Sequence, residues 1–261
     1  MSIALATPWN PRGELSRFVR LHSELLQVYA QIVITLPPDA AADVVDRLKS
    51  MERVQPIVTK AWPEGRYLAL KSTLDTGADH IHYADFDRLL RWVETRPDEW
   101  RRTVQAVTQS HCLVIGRTKH AWATHPQAMQ QTEAMSNAVI SNLVGLELDL
   151  SAGSKGFSRA AVETLMANTQ PQRAMGADSE WIIILHRAGF KVETMLVDGL
   201  DWETADRHQE AAADAQTQRV LAAEYDAVAD NWQMRVGVAA EIIEVGLEAM
   251  SRPLKLIERE N

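Results

Sequence analysis

The stretch Ala78-Asp79-His80-Ile81-His82-Tyr83-Ala84-Asp85-Phe86-Asp87-Arg88 decides how this chain is read. It predicts a short buried strand that ends in two carboxylates spaced i, i+2. Side chains alternate along a strand, so Asp85 and Asp87 should share one side and Phe86 the other. Two carboxylates at the carboxyl end of a strand in an α/β sheet can share one divalent cation, and that cation can hold a diphosphate. The bland reading is that the pair ends the strand and caps the helix entered at Leu89, since Asp is a favoured cap. His80 and His82 share a face at the start of the strand, away from its carboxyl end. They read as core or sheet-face histidines rather than transition-metal ligands.

Upstream, apolar strands alternate with helical patterns. Ile3 to Thr7 is a first strand stopped by Pro8-Trp9-Asn10-Pro11, and residues 12–30 carry Leu15, Phe18, Leu21, Leu25 and Tyr29 at helical spacing. Gln31 to Leu36 is a second strand, and Asp39 is the expected N-cap of a helix through about Met51. Pro56 to Lys60 gives a third strand, Trp62-Pro63-Glu64-Gly65 a loop, and Arg66 to Leu74 a helix. The carboxylate strand is the fourth. This succession implies a mostly parallel sheet with right-handed crossovers.

Downstream, helix is expected from Leu89 to Val107 with a break at Pro97, then a strand from Cys112 to Arg117 and a surface loop over 118–128. Gln131 to Val144 reads as helix, Glu147 to Gly153 as an edge strand, and Gly153-Ser154-Lys155-Gly156 as a turn. Ser158 should cap a helix through Met166. A helix over Trp181 to Ala188 and a last strand over Lys191 to Leu196 follow. From about Thr204 to Met250 the pattern is helical. A stripe of Leu221, Tyr225, Val228, Trp232, Val236, Ala239 and Ile243 needs a partner surface.

The 261 residues are 46% hydrophobic and 24% charged, enough for one large α/β domain or for one domain with an appendage. A net charge of -8 argues against a nucleic-acid backbone or an anionic membrane as main partner. The lone Cys112 excludes an intrachain disulfide and a cysteine-cluster metal site, and suits a reducing compartment. The first residues lack a basic region, and no apolar run approaches the roughly 20 residues that span a bilayer. A cytoplasmic protein without a transmembrane segment is expected. Dinucleotide and P-loop readings fail for want of their glycine loops, and no Gly-x-Ser-x-Gly elbow is present.

The order of these elements, with Asp85-Phe86-Asp87 after the fourth strand, resembles the GT-A fold of nucleotide-sugar glycosyltransferases. Within it, the chain is most similar to the family-2 group that includes polyprenyl (dolichol) phosphate mannosyltransferases. Thr7-Pro8-Trp9-Asn10 resembles that group's first-strand loop around the nucleotide base, and Gly65-Arg66-Tyr67-Leu68-Ala69-Leu70 its Gly-Lys/Arg-x-x-Ala-Leu segment. Asp149-Leu150-Ser151-Ala152-Gly153 with Gly156-Phe157-Ser158-Arg159 resembles the acceptor-side run, and Asp178-Ser179-Glu180 the Asp-x-Glu helix. The match covers roughly residues 1–200. The chain departs from the pattern where Leu89 replaces the amide after the metal motif. Gly116-Arg117 lacks the usual intervening residue, and no Gln-x-x-Arg-Trp signature of processive synthases is present.

The resemblance implies an α/β, GT-A-like domain over residues 1–202, with a mostly parallel sheet flanked by helices, and a helical C-terminal extension over 203–261. It implies a metal-dependent glycosyltransferase moving a sugar from a UDP- or GDP-sugar to a hydroxyl or lipid-phosphate acceptor, with the inverting chemistry of family 2 or, as the alternative, the retaining chemistry of a relative that makes small compatible solutes and has a similar carboxylate strand. Asp85 and Asp87 would serve a Mg²⁺ or Mn²⁺ ion, with Thr7, Pro8, Trp9, Asn10, Asp39, Arg66, Asp85 and Gly153 on the nucleotide sugar. Asp178 and Glu180 would be catalytic carboxylates at the acceptor, or else helix caps favoured by the dipole. Trp62 and Trp122 are further loop aromatics on the expected active edge. The alternative class is a catalytically silent nucleotide- or sugar-binding module that acts through a homo-oligomer of its C-terminal helices. A metal-dependent phosphatase is a weaker third, because that enzyme carries its Asp-x-Asp on the first strand.

Overall fold

The computed structural model describes residues 1–171 and 173–255. Seven strands form one sheet: β1 (Ile3–Pro8), β2 (Gln31–Leu36), β3 (Val54–Val58), β4 (His80–Ala84), β5 (Cys112–Arg117), β6 (Ser154–Ser158) and β7 (Val192–Val197). Their order is β3-β2-β1-β4-β6-β5-β7. β1 runs parallel to both β2 and β4, and β6 alone is antiparallel to its neighbours β4 and β5. Helices cover both faces, so the inner strands are almost wholly apolar rather than alternating: Ala4, Leu5, Ala6, Ile32, Val33 and Ile34 are all fully buried. Each buried Ile or Leu is worth about 1.5–3 kcal/mol. The parallel crossovers of the first half agree with the sequence expectation.

The helices of that half are α1 (Leu15–Leu26), α2 (Ala42–Lys49) and α3 (Glu64–Ser72), then α4 (Phe86–Thr95) and α5 (Pro97–Val107). α2 starts after Ala41, so Asp39 is not its cap but lies exposed in the preceding turn. Residues 118–128 are not a plain surface loop. They contain the short helix α6 (Lys119–Ala123), capped by the Thr118 hydroxyl, and His125 beyond it is buried.

The largest departure concerns β6. The expected turn 153–156 is the start of this interior strand, and the residues before it form a 3₁₀ turn rather than an edge strand. Glycine and lysine made the segment look solvated. Each instead has a packing reason. A Cβ on Gly156 would lie 2.6 Å from Val107, and the fully buried Lys155 is neutralised by Asp178 at 2.7 Å.

The remaining helices are α7 (Gln127–Val144), α8 (Arg159–Asn168), α9 (Ala177–Arg187), α10 (Ala215–Asp226) and α11 (Ala229–Ser251). The expected continuous C-terminal helix is broken at Ala227-Val228, and Val228 and Val236 of the stripe are exposed. α11 instead buries Ala239, Ile242, Val245, Gly246 and Ala249 against α7 and α9 of the same chain. The segment before α10 is pinned by buried ion pairs. Arg17 reaches Glu94 (2.7 Å) and Asp206 (3.1 Å), and Arg91 reaches Asp201 (2.8 Å) and Asp206 (2.6 Å). The expected boundary at 202/203 falls within this docked segment; residues 256–261 lie outside the described residues. Among the described residues, no helix is long and apolar enough to cross a membrane.

Candidate active site

The carboxyl ends of β1, β2, β3 and β4 open into one cleft of about 270 Å³. The chain winds outward from β1 through β2 to β3, then crosses back to lay β4 on the other side of β1, so the order reverses between β1 and β4, the switch point at which open α/β sheets bind ligands. Pro8, Trp9 and Asn10 line it from the end of β1, Thr35, Leu36 and Pro37 from β2, and Asp85, Asp87 and Arg88 from the β4–α4 junction.

The carboxylate pair reaches the cleft by a different backbone path from the one its spacing suggests. β4 ends at Ala84. Asp85 is the extended N-cap residue of α4, and Asp87 stands in that helix's first turn. Phe86 turns into the core against Trp9 and Phe18, so both carboxylates still face the cleft. The Asp85 carboxylate makes no capping bond to α4; its Oδ2 lies 3.5 Å from Arg66 Nη2. Its backbone N–H donates to the Gly153 carbonyl at 2.8 Å. Gly153 has φ +74°, and a Cβ there would come within 2.6 Å of Asp85 Oδ2, which is why glycine stands there.

Asp87 is crowded by negative charge. Burial, Glu203 and Asp85 push its carboxyl up to about 7. Its Oδ1 accepts the adjacent Arg88 N–H at 3.0 Å. Arg88 is buried, its Nε 3.1 Å from Glu203 Oε2 and its Nη1 donating to the Ser151 carbonyl at 3.0 Å. Among the described residues, no three His, Cys, Asp or Glu side chains are arranged to enclose a metal by themselves. The crowding of Asp85, Asp87 and Glu203 nonetheless fits a hard divalent cation that keeps waters and phosphate oxygens in its shell, which needs only one or two protein carboxylates.

Arg66 and Asp178 meet across the cleft. Arg66 Nη1 donates to Asp178 Oδ2 at 3.0 Å, and Lys155 Nζ to Asp178 Oδ1 at 2.7 Å. Burial alone would raise the Asp178 carboxyl, but Arg66 and Lys155 hold it below the usual range. A carboxylate held this way is a poor proton acceptor. Glu180, two residues on, leaves the cleft. It pairs with Arg252 at 2.7 Å and lines a separate cavity.

Other expected residues divide similarly. Thr7 is fully buried and does not line the cleft; its hydroxyl donates to the Ala84 carbonyl at 2.6 Å, stitching β1 to β4 beside Asp85. Trp9 lines the cleft, but its ring packs edge-on against Phe18 and Phe86. Trp62 is 54% exposed at the mouth. Trp122 lies outside the cleft, its ring 4.4 Å from the Arg117 guanidinium carbon. Asp39 does not line the cleft.

Sequence reasoning missed Arg12, Arg207 and Glu203. Among the described residues, Arg12 and Arg207 form no ion pair within 4.0 Å, and partial burial and the like charge of Arg12 lower the Arg207 pKa. The two loops are tied by the His208 N–H, which donates to the Arg12 carbonyl at 3.0 Å. Arg12 directly follows the Pro8-Trp9-Asn10-Pro11 loop and so had a local signal. Glu203 and Arg207 come from far along the chain and had none.

The fold that places these groups is the GT-A-like fold of nucleotide-sugar glycosyltransferases, a seven-stranded, mostly parallel sheet with C-terminal helices. No family model and no curated protein matches the sequence. Among solved structures, the chain is similar to the crystal structure of M. tuberculosis glucosyl-3-phosphoglycerate synthase, with a TM-score of 0.58 at 13% identity over 97% of this chain and 81% of that one. The same enzyme with Mn²⁺ and UDP-glucose gives a TM-score of 0.56 at 12% identity, covering 97% and 80%. Its complex with Mn²⁺, UDP and phosphoglyceric acid gives 0.54 at 12%, covering 97% and 79%.

Proposed function

We propose that this protein is a metal-dependent glycosyltransferase that moves a sugar from a UDP- or GDP-sugar to an acceptor. One observation carries the reading: a cleft at the sheet's switch point joins the crowded carboxylates Asp85, Asp87 and Glu203 to two guanidiniums, Arg12 and Arg207, that have no ion-pair partner among the described residues. A divalent cation on Asp87 and Asp85 would, when bound, offset charge on the departing diphosphate. Structural neighbours that bind Mn²⁺ with UDP-glucose support the assignment of donor and cation classes.

The chain's own residues then have separable tasks. Arg12 and Arg207 attract the diphosphate, and their mutual repulsion is relieved when it arrives. Arg66, at the first turn of α3, is steered toward Asp85 and the phosphate side by Asp178. Trp62, exposed at the mouth, offers a face for a base or sugar. Asp178 acts by positioning Arg66 rather than by taking a proton, and Glu180 braces α9 against Arg252. Family-2 membership and inverting chemistry remain part of this proposal through the sequence resemblance. A thermal-shift screen of UDP- and GDP-sugars with and without Mn²⁺ tests it: a cation-dependent stabilisation by at least one donor is expected, and none with any donor would remove the reading's support.

A further inference from the structure

A hydroxyl buried beside the carboxylate pair has no hydrogen-bond partner among the described residues. It belongs to Tyr83 of β4, whose ring packs edge-on against Trp181 at 5.0 Å. A buried donor left unpaired weakens the fold that holds it, so this one calls for a reason. The backbone points two residues on. Asp85 continues β4 in an extended conformation (φ -66°, ψ 128°), so Tyr83 and Asp85 project to the same side of the chain. Ala84 and Phe86 instead join the apolar cluster of the other face, with Trp9 and Phe18.

Of the two carboxylates that act on this hydroxyl, one is already engaged. Tyr83 pairs in register with Lys155 of β6, whose Nζ donates to Asp178 Oδ1 at 2.7 Å, and Arg66 Nη1 donates to Asp178 Oδ2 at 3.0 Å. Both Asp178 oxygens are held by cations. Asp85 differs. Its carboxylate caps no helix N–H, accepts no hydrogen bond of normal geometry among the described residues, and lies 3.5 Å from Arg66 Nη2. Burial, opposed by Arg66 and reinforced by Asp85 and Asp178, raises the Tyr83 phenol above its usual pKa, so it stays a donor. An unsatisfied donor therefore stands beside an unsatisfied acceptor.

We propose that Tyr83 is a positioning residue for the cation site, its hydroxyl donating to the Asp85 carboxylate when that carboxylate serves the ion. This rests on the cation-held donor reading above. In the cation-free fold Asp85 leans toward Arg66. Once Asp85 serves a cation it no longer compensates that guanidinium, whose charge Asp178 retains. On its protein side the carboxylate then meets the Tyr83 O–H. That bond fixes the carboxylate and leaves its remaining lone pairs for the ion, as outer-shell partners orient metal ligands in general.

Tyr83→Phe removes the hydroxyl and keeps the ring against Trp181. Mn²⁺ affinity of the full chain is read from the electron paramagnetic resonance of free Mn²⁺, with UDP or GDP present, and Tm is measured without cation. Tyr83→Phe should leave the cation-free Tm unchanged or raised, because an unpaired buried donor is lost. It should nonetheless weaken Mn²⁺ binding by about tenfold or more. In an Asp85→Ala background the same change should cause no further loss, because Tyr83 acts through that carboxylate. Wild-type Mn²⁺ affinity in Tyr83→Phe, or an undiminished loss in the Asp85→Ala background, overturns the inference and leaves the donor reading standing. A lowered cation-free Tm or a failure to fold does the same, since the hydroxyl would then be bonded without the ion. Failure of wild type to bind Mn²⁺ with either nucleotide overturns both.

Discussion

Arg66 donates to Asp178 at 3.0 Å while its other terminal nitrogen lies 3.5 Å from Asp85, so α3 joins the helix of one half of the fold to the carboxylate pair of the other. Lys155 completes the chain of charges from β6. All but Asp85 are nearly or fully buried, so each charge depends on its neighbours for compensation.

Asp178→Asn tests this chain of charges. It removes the negative charge between two buried cations, and the expected loss is about 3–5 kcal/mol of stability. Urea unfolding measures it. Arg66→Ala combined with Asp178→Asn should cost less than the sum of the single changes, and strict additivity would show that the pair is not coupled.

Gly153→Ala is expected to cost about 1–3 kcal/mol, because alanine is strained at positive φ. Its Cβ would also meet Asp85 Oδ2 at 2.6 Å. Donor binding should therefore weaken more than for a remote change of equal stability cost, as read by titration calorimetry.

The expected strand ending in two carboxylates was legible because Ile81, Tyr83 and Ala84 are apolar and Asp-x-Asp follows at once. What was not legible is that the backbone turns at Asp85: the first helical turn happens to return Asp87 to the same side, as alternation would. The interior strand β6 was hidden because Gly-Ser-Lys-Gly is turn-like locally. Only long-range partners, Val107 for Gly156 and Asp178 for Lys155, make it a strand. Glu203 and Arg207 escaped for the same reason, since the ion pairs that seat their segment, Asp206 with Arg17 and with Arg91, join residues more than a hundred positions apart. The C-terminal stripe was read across a break at Ala227-Val228 that resets the helical phase.

His82 gives a pH prediction. It is fully buried, its Nδ1 2.6 Å from the Tyr29 hydroxyl and its Nε2 2.8 Å from Ser154 Oγ. Burial lowers its pKa from 6.5 to about 3. The unfolded chain binds a proton below 6.5 that the folded chain refuses, so stability is lost as pH falls from about 6.5 toward 3. The slope is at most roughly 1.4 kcal/mol per pH unit. His82→Gln should flatten this limb in urea titrations at successive pH values; an unchanged slope would contradict the assignment.

Asp87 predicts the opposite dependence. Its carboxyl is pushed up from 3.8 to about 7, so the cation-free fold holds a proton that the unfolded chain releases, and this contribution to stability fades as pH rises between those values. A cation needs the ionised form. Mn²⁺ affinity should fall by up to about tenfold per pH unit below about 7, and Mn²⁺ should raise Tm more at pH 8 than at pH 6. Equal shifts at both pH values would contradict it.

The most direct measurement is calorimetric titration of UDP- and GDP-sugars into wild type and Asp87→Ala, each with and without Mn²⁺. Wild type should bind at least one donor in a Mn²⁺-dependent way, and Asp87→Ala should lose at least tenfold of that affinity while keeping its fold. Mn²⁺-independent binding in wild type, or full Mn²⁺-dependent affinity in Asp87→Ala, would contradict a cation-held nucleotide diphosphate at this pair.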